Sequence, residues 1–155
     1  MRARSSRPAL RRARAGARGF TLIELLVTVA ALAIVAAIAL PAFFEQLARA
    51  RRSAVQAALL EDAAYMQHYY ASQDAFTGTP PPQLPFAQVP RQGAVAYVIS
   101  VRVPPADPAS FLLTATRIGG MAADACGDFT VDHLGRRDLV AGSFASGRDA
   151  AHCWR

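Results

Sequence analysis

Gly19-Phe20-Thr21-Leu22-Ile23-Glu24-Leu25-Leu26-Val27-Thr28-Val29-Ala30 opens an apolar run that lasts to Leu40. From Phe20 to Leu40 the only polar positions are Thr21, Glu24 and Thr28. At a helical rise of about 1.5 Å per residue the run is about 30 Å long, the hydrocarbon thickness of a bilayer. One carboxylate lies near its start, and a charge at the centre of a membrane helix costs about 2.5–3.5 kcal/mol on insertion scales. A carboxylate kept at that cost implies a partner for it.

These residues resemble the N-terminus of a type IV prepilin, whose processing site is a Gly followed by Phe-Thr-Leu-Ile-Glu. Gly19-Phe20-Thr21-Leu22-Ile23-Glu24 matches that motif position by position. The resemblance implies that a prepilin peptidase on the cytoplasmic side cuts between Gly19 and Phe20 and methylates the new amine. It also makes Glu24 the assembly residue, paired with the Phe20 amine of a neighbouring subunit. Two plainer readings compete: a cleavable secretory signal with its site at Ala37-Ile38-Ala39, or a simple membrane anchor. Against the first, the run is longer than an ordinary signal core and is interrupted by Glu24.

The formal charge of +6 misleads as a guide to partners. Seven of the seventeen arginines precede Phe20, which leaves ten against eleven acids in the rest of the chain. Lysine is absent altogether. Cationic flanks stay cytoplasmic, so the leader outweighs Arg49, Arg51 and Arg52 and orients the later residues toward the periplasm. The nineteen-residue leader is longer than many in the family, which leaves the cut site unaffected. In that oxidising compartment the two cysteines, Cys126 and Cys153, read as a disulfide before they read as a metal or redox pair.

The chain then divides into four stretches: residues 1–19 as a cleaved basic leader, 20–40 as a transmembrane and assembly helix, 41–72 as its amphipathic continuation, and 73–155 as a β-rich head. Pro41 lacks the N–H that a helix interior needs, so a kink is expected there. Beyond it Phe44, Leu47, Val55, Leu59, Ala63, Met66 and Tyr70 recur at helical spacing and predict a core-facing stripe. Arg49, Arg51, Arg52, Glu61 and Asp62 fall mostly off that stripe. The arginine cluster reads equally as a solvated face or as a contact to anionic head groups. His68 reads as a surface or packing histidine.

Residues 72–93 are proline-rich and predict a loop. Residues 94–103 alternate Tyr97, Ile99, Val101 and Val103 against Val98, Ser100 and Arg102, as a half-buried strand does. Residues 110–117 and 128–132 predict two more strands, with Phe129 and Val131 inward, and a short fourth lies around 137–140.

A second motif, Cys126-Gly127-Asp128-Phe129-Thr130-Val131-Asp132-His133-Leu134-Gly135 with the terminal Cys153-Trp154, resembles the end of a PilE-like minor-pilin subfamily. A Cys126–Cys153 bond would stabilise the head by about 3 kcal/mol in the chain-entropy model. A zinc set of Cys126, His133, His152 and Cys153 is disfavoured by the adjacency of His152 and Cys153 and by export. Cys153 as a nucleophile has no orienting carboxylate motif to activate it.

The expected architecture is α+β: a long N-terminal helix packed on a small antiparallel sheet, the pilin fold. The expected work is that of a structural subunit, a minor pilin for adhesion, twitching motility or DNA uptake, and not an enzyme. No cofactor and no metal are called for. Its partners would be prepilin peptidase, other pilin subunits, the assembly platform and the inner membrane. A type II secretion pseudopilin is one alternative. A DNA-receptor pilin is another, held open by Arg136, Arg137 and Arg148 although the head lacks a general basic excess.

Overall fold

The computed structural model describes residues 19–78 and 81–154. The expected leader, apart from Gly19, lies outside the described residues. The chain divides into two compact units, Met1–Leu40 and Pro41–Arg155. Helix α1 (Leu22–Gln73) contributes to both and contains Pro41.

In the first unit, helix formation starts two residues later than the apolar run. Thr21 stays non-helical, and its hydroxyl oxygen accepts the Glu24 N–H at 3.2 Å. That is the geometry of an N-cap, which satisfies one of the orphan donors of the first turn. The carboxylate of Glu24 lies in that turn, where the helix dipole favours negative charge. The side chains of residues 20–40 are exposed, and the helix is long and apolar enough to cross a membrane.

The second unit holds a five-stranded antiparallel sheet: β1 (Gln88–Val89), β2 (Tyr97–Arg102), β3 (Leu112–Arg117), β4 (Phe129–Asp132) and β5 (Arg137–Leu139). The strands pair in chain order. Alternation sends one row, Ile99–Ala115–Phe129–Leu139, across four strands on the buried face. Against that face α1 presents Val55, Leu59 and Met66, all fully buried in the same core. Burying each such side chain is worth about 1.5–3 kcal/mol. Tyr97 meets Phe129 edge-on at 6.0 Å, and Phe76 meets Phe111 at 4.7 Å.

Several expectations need correction. Of the predicted stripe, Phe44 is 62% exposed and Leu47 is also exposed, because the fully buried part of α1 begins at Val55. Asp62 belongs to the buried stripe, not to its polar flank, with a relative exposure of 0%. The Arg52 side chain is only 13% exposed, since it reaches a carboxylate and not solvent. The proline-rich loop contains the edge strand β1, which ends just before the cis Val89–Pro90 bond. Two short elements were not foreseen: a 3-10 turn at Gly119–Met121 and a terminal helix α2 (Ala150–Cys153). Asp149 caps α2 by accepting the His152 N–H at 2.7 Å.

Candidate functional site

The chemistry of the N-terminal unit is confined to a few positions. Gly19 and Phe20 lie outside α1 in non-helical backbone, and both are exposed. Among the described residues, nothing approaches within 4 Å of where a Cβ on Gly19 would lie. Glu24 lies four positions beyond Phe20, in the first turn of α1, and is exposed, with no ion pair among the described residues. Its turn continues into an apolar groove lined by Leu22, Leu25, Leu26, Val29, Ala30 and Ala33. The small alanines at 30 and 33 allow a neighbouring helix close approach.

In the second unit, Cys126 and Cys153 form a disulfide. Their sulfurs bond each other, so neither is a thiolate ligand or a nucleophile. Two interactions surround that bond and fix the C-terminal segment. Gln56 of α1 donates from its side-chain amide to the Cys153 carbonyl at 2.6 Å. Arg52 holds Asp124 through a bidentate contact, with Nε at 3.0 and 3.1 Å from the two oxygens and a terminal nitrogen at 2.6 Å. Asp124 in turn accepts the Cys126 N–H at 3.0 Å. One carboxylate thus ties α1 to the first half-cystine. The Asp124 hydrogen bond raises the Arg52 pKa and outweighs the opposing effect of burial.

The Cys-Gly pair is explained by the backbone. Gly127 has φ +72°, and a Cβ there would stand 2.4 Å from the Ser143 hydroxyl and 2.7 Å from its carbonyl carbon. Only glycine fits between the disulfide and the returning tail. Trp154 closes the end: its indole N–H donates to the Asp138 carbonyl at 3.0 Å, and its ring meets Phe129 edge-on at 5.4 Å.

Of the three arginines singled out for nucleic acid, Arg136 is exposed and paired with Asp132 at 2.6 Å. Arg137 lies 5.8 Å from the centre of the Trp154 ring. Arg148 contacts the Nε2 of His152. His133 gives its carbonyl to the Gln67 side chain, and its ring lies 6.5 Å from Phe111. Among the misplaced residues Asp62 carried a signal in the sequence, its i, i+3 and i, i+4 relation to Leu59 and Met66.

Comparison with known proteins now bears on these features. Residues 41–130 match the family described as type IV minor pilin ComP, DNA uptake sequence receptor. The chain belongs to the type IV minor pilin family. Residues 14–40 match the prokaryotic N-terminal methylation motif. That motif implies processing by a prepilin peptidase and assembly with other pilins, as a membrane-anchored pilus subunit. Among solved structures, a type IV pilin from Shewanella oneidensis is similar at 23% identity, over 63% of this chain and 98% of that one, with a TM-score of 0.44. No curated protein matches the chain. The family is one of structural pilins.

Proposed function

We propose that this minor pilin is held in the inner membrane by residues 20–40 with its N-terminus cytoplasmic and its head in the periplasm. Prepilin peptidase cuts it between Gly19 and Phe20. The methylated Phe20 amine of one subunit then pairs with Glu24 of another, and the assembly platform draws the helix into a filament. Pro41 would supply the kink that lets the helix bend in the packed filament, and Cys126–Cys153 would keep the head folded outside the cell. The chain performs no catalysis in this reading. The observation that carries it is the match of residues 14–40 to the methylation motif, together with an exposed, non-helical Gly19–Phe20 junction. N-terminal sequencing of protein from sheared filaments should begin at a methylated Phe20. Gly19→Leu should leave the uncut precursor in the membrane, and normal maturation of that variant would refute the assigned cut.

A second role for the same filament subunit is favoured by the family's description as a DNA uptake sequence receptor. Residues 41–155 carry equal numbers of arginines and acids, so binding would be local and not a general polycationic effect. Arg136, exposed beside Arg137 at the start of β5, is the place to look. If duplex DNA is retained by the purified protein, Arg136→Ala with Arg137→Ala should weaken retention and lower its dependence on salt. Unchanged retention would remove this role from those residues.

A further inference from the structure

A cleft of about 410 Å³ in the second unit is lined by Glu45, Arg49, Arg52, Arg148, His152 and Cys153. One wall is α1 and the other is the C-terminal segment. The second wall is held against the first by the Cys126–Cys153 bond and by the Gln56 hydrogen bond to Cys153. The cleft is therefore prepared before any ligand arrives.

Its charges do not balance. Glu45 meets Arg49 at 3.2 Å and Arg52 at 3.4 Å, and Asp124 meets Arg52 from behind at 2.6 Å. The hydrogen bond from Arg49 lowers the Glu45 pKa, so that carboxylate is ionised at neutral pH. Two carboxylates thus serve Arg49 and Arg52. Among the described residues Arg148 contacts the His152 ring and forms no ion pair with a carboxylate. Among the described residues of the cleft, one positive charge is left without a carboxylate partner. Guanidinium forks match phosphate oxygens, and a single excess charge suits a phosphodiester monoanion.

We propose that this cleft binds the phosphate of an anionic phospholipid head group and docks the head on the membrane that holds the helix. This rests on the membrane-anchored reading above. Arg49 and Arg52 follow Leu40 by nine and twelve positions. Between them and Leu40 lie Phe43 and Phe44, both exposed. Exposed Phe43 and Phe44 just beyond the apolar run, followed by arginines whose aliphatic stems can lie along apolar surface while the charged heads reach outward, suit the level of the head groups. A pocket of this size with one excess charge suits one head group, whereas a duplex would call for a row of cations along its phosphates.

Trp154 is the only tryptophan and adjoins Cys153 of the cleft wall, so its emission reports the site. The full chain would be reconstituted in phosphatidylcholine nanodiscs with increasing phosphatidylglycerol. A saturable change in emission is expected. Arg148→Gln should raise the half-saturating fraction about fivefold, the effect of one arginine at an anionic surface. Arg49→Gln, whose side chain is 63% exposed and unimportant to the core, should act in the same direction. Arg102→Gln, exposed and outside the cleft, should not. No response to phosphatidylglycerol, or an equal loss in Arg102→Gln, would overturn the proposal. The same response in pure phosphatidylcholine discs to inorganic phosphate, or to a short duplex, would assign the cleft to that ligand and overturn the lipid. Failure of the chain to enter discs of either kind would instead remove the membrane reading, and this inference with it.

Discussion

Asp62 shows how one side chain couples the head to pH. One carboxylate oxygen accepts the Phe86 N–H at 3.0 Å, and the other is buried with no hydrogen bond among the described residues. Burial raises its pKa from 3.8 to about 6, and the neighbouring Glu61 adds to the rise, while the Phe86 hydrogen bond and Arg91 oppose it. A folded-state value above the unfolded one means that the folded head binds the proton more tightly. The stabilisation is therefore complete below about pH 4 and is lost as pH rises through 6. A difference of about two pKa units corresponds to at most about 3 kcal/mol. Asp62→Asn, which keeps the acceptor for Phe86 but cannot ionise, should gain about 1–3 kcal/mol over wild type at pH 8 and little at pH 4. Urea unfolding followed by Trp154 emission at both values checks this, and an equal difference at the two would rule out the charge as its cause. Gly127 makes the complementary case for the backbone. With φ at +72° and Ser143 backbone 2.7 Å from a new Cβ, Gly127→Ala should cost at least about 2 kcal/mol in the same assay.

Between α1 and the segment leading to Cys126, the Arg52–Asp124 clamp is the main charged link. The two side chains are 13% and 4% exposed, so each charge is compensated out of water mainly by the other. Removing one partner from such a pair costs about 3–5 kcal/mol, whereas replacing both by apolar groups is often close to neutral. Asp124→Ala should therefore destabilise the head more than the double change Arg52→Met with Asp124→Leu, and a cycle of urea midpoints measures the difference. A double change as costly as the single one would show the clamp to be worth its full geometry. The same elements show what was legible in the chain. Strands β2 to β5 were readable because period-two alternation is a local property, and Tyr97, Ile99, Phe129 and Val131 each declare their face. The membrane-length helix was readable from its unbroken apolar run. The clamp was not, because a partner 72 residues away leaves no mark near Arg52. Strand β1 and helix α2 were missed for a related reason. At two and four residues they are shorter than any periodicity, and they exist because β2 offers Gln88 and Val89 an edge and Asp149 caps the final turn.

In the proposed assembly, the whole subunit turns on when Glu24 acquires a partner. Before processing, the nitrogen of Phe20 is an uncharged amide, so it offers the carboxylate no cation within the apolar segment. In the proposed processing, cleavage after Gly19 would create an amine there, and methylation would leave it positively charged. That amine lies four positions before Glu24, which stands in the first turn of α1, so an axial shift between neighbouring helices could bring one subunit's amine to the next subunit's carboxylate. In a low-dielectric bundle the attraction is stronger than in water, yet it must offset the desolvation of both groups. Such a pair selects for register and for processed subunits more than it adds raw stability. The groove of Leu22, Leu26, Ala30 and Ala33 would supply contact area whether or not the charges are present. Insertion and cutting precede pairing, so Glu24→Gln should be inserted and cut at the wild-type rate. It should then accumulate in the inner membrane and be depleted at least about tenfold from sheared filaments, which corresponds to about 1.4 kcal/mol of lost selection. Quantifying both chains in the same cells makes the comparison internal. Equal incorporation of Glu24→Gln and wild type would refute the assembly role of this residue, and failure of the variant to be cut would place Glu24 in peptidase recognition instead.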